Sequence, residues 1–413
     1  MNRLVLIGNG FDLAHGLPTR YEDFIQWYWR YRLGELEKDR THVSDDGLCS
    51  FRILHDYTWD YLLQQVGLSV ERVQTNQILD WIKNRDELCK FSKSTFFERI
   101  CTRIETKGWV DIENEYYHLL TECAFPMSRP SVEGGVIQLN KQLETLQQLL
   151  VIYLQEIEKQ EVHAIKSITD AIYAPIKPDD VSIYGKGCLQ EHVDQWAHLE
   201  EDVVLNDKLN TFGVEADPYL AELETWRNKH SKQYTNTYIS TCPKAFLLPD
   251  HITFLNFNYT HTADKYINNM SANVVNHIHG EINHPDSVIF GYGDELDSDY
   301  ARLQNLNNND YLQNVKSIRY LEAPNYRSIL SFIESAPFQL LIMGHSCGNS
   351  DRTLLNTIFE HKNCVSIKPY YYIKSDGIDN YRELAQNISR NFTDMKLMRD
   401  RVVNKTQCEP LVK

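Results

Sequence analysis

The sequence predicts an α/β fold in which a parallel sheet is split by a large, mostly α-helical insertion. Three observations lead there. The chain opens on a continuous apolar run, Leu4-Val5-Leu6-Ile7, closed by Gly8, which suits a strand buried on both faces of a parallel sheet. Residues 35–244 read as mostly helical, with poor strand signals. Beyond residue 245, β-branched apolar runs alternate with helical stretches, the texture of βαβ units. The N-terminal strand needs partners, and that last part supplies them. Residues 1–34 plus 245–413 are therefore the expected core, and 35–244 the insertion.

Taken in order, Tyr21, Phe24, Trp27, Tyr28 and Tyr31 recur at helical spacing, which predicts a helix over 21–33 that Gly34 could end. Leu139, Leu143, Leu146, Leu150, Tyr153 and Ile157 form one apolar stripe on a long helix from about Val136 to Tyr173, as packing against other helices requires. Pro175 and Pro178 stop it. Strands are expected at Ile252–Phe257, Val274–Gly280, Val288–Gly291, Leu340–Gly344 and Val365–Ile373. A helix-like stretch reaches Met270, and another helix starts near Asp351.

Composition narrows the function. The 413 residues carry 42 Lys+Arg against 57 Asp+Glu, a net charge of −15. Nucleic acid is an unexpected partner for such a balance, because phosphate binding needs a Lys/Arg excess. The apolar start is too short for a signal-peptide core, and runs such as Leu149–Leu154 are too short to span a bilayer. A soluble, cytoplasmic protein with no membrane association is expected. The nine cysteines form no CxxC pair, so they read as reduced thiols that fill the core rather than as a zinc ribbon.

Four segments place polar residues at expected strand ends, where open α/β sheets bind ligands. After the first strand, Gly8-Asn9-Gly10 offers backbone N–H groups to an anion, though the third glycine of GxGxxG is missing. Asn258-Tyr259-Thr260 follows the second strand, and Asn258 could hold a ribose hydroxyl or a water. His279-Gly280 ends the third, where a histidine is placed for general-base work. Strand periodicity puts His277 and His279 on one face. His277, His279 and His284 raise a metal site, but no ligand spacing supports one, so no metal is expected. Gly344-His345-Ser346-Cys347-Gly348 fits the Gly-x-Ser-x-Gly elbow literally, with Ser350 or Asp351 to cap the next helix. Only His361 follows it, ahead of Asp376 and Asp379, so a hydrolase order fails.

Together these segments resemble the AbiH family of bacterial abortive-infection proteins. The opening Leu6-Ile7-Gly8-Asn9-Gly10-Phe11-Asp12-Leu13-Ala14-His15-Gly16-Leu17-Pro18-Thr19 is similar to that family's signature. So are Trp109-Val110-Asp111-Ile112-Glu113, Phe257-Asn258-Tyr259-Thr260, Ile278-His279-Gly280, and Gly344-His345-Ser346 with Asp351. A more distant resemblance, to sirtuin-like domains, lies in Gly8-Asn9-Gly10, Gly16-Leu17-Pro18, Asn258, His279-Gly280 and the late Gly344-x-Ser346. It implies a Rossmann-like core that binds NAD, with His279 and Asn258 as catalytic residues. Gly8, Asn9, Gly10, Asp12, Thr19, Tyr259, Gly280, Gly344, Ser346 and Asp351 would contact the nucleotide, Gly8 to Gly10 by cradling its pyrophosphate. Ser346 and Asp351 would line the adenosine side.

Asp12 stands where sirtuins have Ser or Ala, and Thr260 where sirtuin-like defence enzymes carry Asp. The sirtuin zinc module is missing, which leaves NAD hydrolysis rather than deacetylation as the implied chemistry. Glu113 would return from the insertion to the cleft. The insertion would serve a homo-oligomer or a partner defence protein. Two other readings stand beside this one: a nucleotide-sensing module without turnover, and a nuclease whose Asp12, Glu113 and Asp351 hold Mg²⁺.

Overall fold

A computed structural model describes residues 1–39, 43–55, 58, 85, 87–107, 111–126, 132–197, 209–210, 221, 224–226, 238–268, 274–374 and 376–412. Its named strands are β1 (Asn2–Ile7), β2 (Val43–Asp45), β3 (Cys49–Ile53), β4 (Cys89–Lys93), β5 (Ile252–Asn256), β6 (Val274–His277), β7 (Phe338–Met343) and β8 (Cys364–Tyr370). The chain divides into two units. One comprises Met1–Leu17, Glu161–Val288 and Tyr320–Lys413, the other Pro18–Gln160 and Ile289–Arg319.

The first unit is built on a five-stranded parallel sheet of order β6-β5-β1-β7-β8. From β1 the chain builds outward through β5 to β6, then returns to the other side of β1 for β7 and β8. Open α/β sheets bind ligands at such a reversal, outside the carboxyl ends of the flanking strands, here β1 and β7. Every residue of β1 and β7 is buried, as expected of central parallel strands. Val5, Ile7, Phe254, Leu341 and Met343 pack with Ile168 and Ile172 of the helix Lys166–Tyr173. A second cluster joins Met1 and Val365 to Leu189, Val193 and Phe246.

Arg3 precedes the apolar run of β1 and is only 2% exposed. Its guanidinium donates to the Ile172 and Ala174 carbonyls at 2.7 and 2.6 Å and to Gln339 Oε1 at 2.8 Å. It thereby ties the end of that helix to β1 and β7. Burial brings its pKa down to about 10, with Tyr370 and Asp180 acting the other way, so it remains charged at neutral pH.

The second unit holds the antiparallel sheet β2-β3-β4 and the helices Tyr21–Asp39, Thr95–Lys107, Ile112–Ala124 and Gly135–Ile157. Tyr28 meets Phe97 edge-on, with ring centroids 4.7 Å apart, and Phe51 meets Phe91 at 4.8 Å. Asn140 accepts from the Tyr116 hydroxyl at 2.7 Å and donates to the Asp310 carbonyl at 2.8 Å, fastening the segment 289–319.

Several expectations change. The boundaries at 34/35 and 244/245 fall elsewhere: the aromatic helix continues through Gly34 to Asp39 and packs in the second unit, whereas segments 166–173 and 183–193 bury their apolar faces in the first. The long helix from Val136 is two helices, Gly135–Ile157 and Lys166–Tyr173, one in each unit. Val288–Gly291 is buried but pairs with no strand; the neighbouring Tyr292 bridges Val315. In place of the helix-like stretch to Met270 there is a 3₁₀ turn, Thr262–Tyr266, and Met270 lies outside the described residues.

All nine cysteines are free thiols and seven are buried, as core filler should be. No helix among the described residues is long and apolar enough to cross a membrane. Replacing Arg3 with Met strands two carbonyls and the Gln339 side chain. We expect a loss of about 3 kcal/mol or more, read as a fall in the urea midpoint.

Candidate functional site

At the carboxyl ends of β1 and β7 the two chains leave the sheet in contact. The Gly8 amide donates to the Met343 carbonyl at 3.2 Å and the Gly10 amide to the Gly344 carbonyl at 2.8 Å. A Cβ on Gly8 would lie 2.5 Å from His345 Cα, and one on Gly344 would lie 2.1 Å from the Phe11 amide nitrogen. Gly344 also has φ +76°, which an L side chain rarely adopts. These glycines therefore allow two backbones to touch. The expected pyrophosphate cradle changes accordingly, because the Gly8 and Gly10 N–H groups already donate within the protein. Asn9, the first residue of the short helix Asn9–Ala14, is exposed.

The turn after β5 docks onto the same place. Asn258 Nδ2 donates to the Gly8 carbonyl at 3.1 Å, while the Asn258 amide donates to Asn256 Oδ1 at 3.0 Å. Thr260 Oγ1 donates to Asp12 Oδ2 at 2.6 Å, and both residues are only 1% exposed. The Phe257 ring meets His345 and His279 edge-on, with centroids 4.3 and 5.1 Å away.

Two histidines converge on one buried carboxylate. His279 Nε2 is 3.3 Å from Asp351 Oδ1, and His345 Nε2 is 3.6 Å from Asp351 Oδ2. His345 Nδ1 accepts from the Cys347 amide at 2.9 Å, so neutral His345 carries its proton on Nε2, facing Asp351. His279 Nε2 also lies 3.1 Å from the Tyr320 hydroxyl. A proton on His279 Nε2 has two acceptors in reach, Asp351 and the Tyr320 hydroxyl. Asp351 occupies the cap position of the helix Arg352–Phe359, yet its side chain makes no capping bond. Cys347 is fully buried at φ +55°, a strained conformation held by a 2.9 Å bond from Asn391 to its carbonyl. Burial, reinforced by Asp351, pushes its thiol pKa up.

Sequence comparison now bears on this geometry. A family model described as bacteriophage abortive infection AbiH matches residues 4–372. The chain belongs to the AbiH family. Comparison with curated proteins and with solved structures returned no match.

The other candidate residues of this AbiH chain are placed as follows. Tyr259 is half-buried, its ring 6.4 Å from that of His279. Gly280, at φ +78°, packs where a Cβ would meet the Ser287 carbonyl oxygen at 2.1 Å. Ser346 is exposed, and the left-handed residues of its turn are Gly344 and Cys347, so the strained serine of a hydrolase elbow is not formed. β6 stops at His277, and His277 and His279 do not share a face. His277 lies beside His261 and Asp264, whereas His279 faces Asp351. Thr19 belongs to the second unit, and Trp109 and Val110 lie outside the described residues. Sequence reasoning placed no role on His345; its position directly after Gly344 was the available signal.

Glu113 has a structural task within the second unit. Its carboxylate accepts from Lys316 Nζ at 2.7 Å and from the Gly291 amide at 3.1 Å. Lys316 thus neutralises the acid that the nuclease reading assigned to Mg²⁺.

Two stability tests follow. Gly344→Ala should cost more than about 3 kcal/mol, because backbone strain of ~1–2 kcal/mol and a backbone clash add. Gly16→Ala, with φ +82° but nothing within 4 Å of its Cβ, should cost only the strain; equal urea midpoints for the two variants would contradict the packing argument. Glu113→Ala removes the carboxylate 2.7 Å from the buried Lys316 ammonium and should destabilise by about 3–5 kcal/mol, with much of the loss restored in Glu113→Ala/Lys316→Met.

Proposed function

We propose that this AbiH-family chain is an abortive-infection effector that binds NAD or a related nucleotide across the carboxyl ends of β1, β5, β6 and β7. In this reading the sheet is a Rossmann-like, sirtuin-like core and the nicotinamide–ribose bond is hydrolysed. The observation that carries the reading is the meeting of all four polar segments in one place. Asn258 holds Gly8, Gly10 holds Gly344, and His279 pairs with Asp351.

His279 Nδ1 takes a proton from a water that Asn258 orients. The water oxygen bonds to the anomeric carbon as the bond to nicotinamide breaks, and nicotinamide leaves with the bonding electron pair as a neutral ring. Products are ADP-ribose, nicotinamide and a proton on His279. Asp351 acts as a positioning residue, fixing the imidazole tautomer and stabilising the imidazolium that forms. Asn9 and Ser346, exposed on the turns after β1 and β7, supply polar groups toward phosphate or adenosine. The two departures from the sirtuin-like pattern compensate each other. Acid and hydroxyl have changed places, and Asp12 and Thr260 meet in one 2.6 Å hydrogen bond.

In cells protected by this chain, phage infection is expected to deplete NAD and release nicotinamide. His279→Ala and Asn258→Ala should each slow turnover by roughly 100-fold or more, as loss of acid–base catalysis does. Protected cells whose NAD stays constant would overturn the enzyme reading. One observation favours a sensor instead: the Thr260 hydroxyl, where related enzymes place an acid, is committed to Asp12. NAD that raises the melting temperature without any product would identify that case.

A further inference from the structure

The turns that carry Asn258 and His279 also assemble a second group of side chains. His261 follows Asn258 in the turn after β5, His277 is the last residue of β6, and Glu281 follows His279. One ligand atom from each of His261, His277 and Glu281 lies within 4.8 Å of the other two. His261 Nε2 and Glu281 Oε2 are 3.0 Å apart, and the two imidazole centroids are 5.2 Å apart at 51°. Zinc bound tetrahedrally at ~2.0–2.1 Å holds its donors about 3.3 Å from one another. Closing this group on an ion therefore takes side-chain shifts of about an ångström, with the strands left in place. All three residues are partly exposed, so an ion can enter and keep a solvent ligand.

One outer contact is present as well. His284 Nδ1 lies 2.6 Å from Glu281 Oε1, while His261 faces the other carboxylate oxygen, Oε2. A partner of this kind orients a ligating carboxylate. The Glu281 carboxyl is held below its ordinary value, chiefly by the His261 hydrogen bond, with burial opposing and His284 assisting.

We propose that His261, His277 and Glu281 bind a divalent transition metal of the zinc class, clamping the turn after β5 to the turn after β6. Two imidazoles and one carboxylate suit Zn²⁺ or Co²⁺ better than Mg²⁺ or Ca²⁺, which prefer oxygen ligands. The expectation of no metal rested on His277, His279 and His284, and the structure draws a different trio together. The site does not depend on the nucleotide reading.

The test uses the full chain, freed of metal by chelator, with Zn²⁺ alone or Co²⁺ alone as probe. Wild type is expected to bind one equivalent of Zn²⁺, to gain several degrees in melting temperature, and to give the visible absorption of tetrahedral Co²⁺. His277→Ala should weaken Zn²⁺ binding by about 100-fold or more, since even the loss of an outer contact costs roughly 10–100-fold. Glu281→Gln keeps the side-chain shape and should also abolish the thermal shift, so the test survives if His277→Ala fails to fold. Equal Zn²⁺ affinity and equal thermal response in wild type and Glu281→Gln would overturn the proposal and leave an ion-pair network about Glu281.

Discussion

The close approach of two backbones at the carboxyl ends of β1 and β7 is the constraint on which the candidate site rests. Gly8, Gly10 and Gly344 lack the atoms that would hold those chains apart, and the amides of Gly8 and Gly10 are satisfied across the gap. That contact sets His345 against Gly8. His345 in turn faces Asp351, and Asp351 faces His279 from the turn after β6. Asn258 reaches the same point from β5 through the Gly8 carbonyl. The segments after β5 and β7 thus both meet the end of β1 directly, at the Gly8 and Gly10 backbone. Preorganisation of this kind is what a reaction needs if no reorganisation is to be spent during the chemical step.

Buried acids in a chain of net charge −15 require local compensation, because an isolated carboxylate in a protein interior is far costlier than one in water. Four of the buried acids show it. Asp12 takes the Thr260 hydroxyl, Asp351 takes two imidazoles, Glu113 takes Lys316, and Asp180 takes Lys368 at 2.7 Å. The overall acidity of the chain consequently says little about the potential near the turns after β1 and β7. The carboxylates near those turns are already engaged by a hydrogen-bond donor or by histidines.

The parallel sheet was legible because doubly buried strands read as unbroken apolar runs. Leu4–Ile7 and Leu340–Met343 are central strands with every residue buried. The same rule misled at Val288–Phe290, which is equally apolar and equally buried but joins no ladder, since burial without pairing leaves the same composition. β3 carried a fair signal in the alternation of Cys49, Phe51 and Ile53, all buried. Five residues inside a helical context were too few to outweigh it. At the site, the turn motifs were legible as types but not as roles. Glycines that suggested an anion cradle serve backbone contact, and Asp351, which suggested a helix cap, faces two histidines instead. His261 was invisible because the residues it meets, His277 and Glu281, come from β6 and the turn after it, and proximity across elements leaves no mark in spacing.

One consequence of this arrangement concerns how the site can be controlled. Asn258 and His261 share the turn after β5, and His279 and Glu281 share the turn after β6, while the Ile282 amide donates to the Tyr259 carbonyl at 3.1 Å. The two turns are therefore stitched together by backbone as well as by side chains. An ion bound as proposed would draw on His261, three residues from Asn258, the residue that holds Gly8. Coupling then follows from covalent proximity and close packing, without any rearrangement of the sheet. The all-buried β1 and β7 give the turns a closely packed floor.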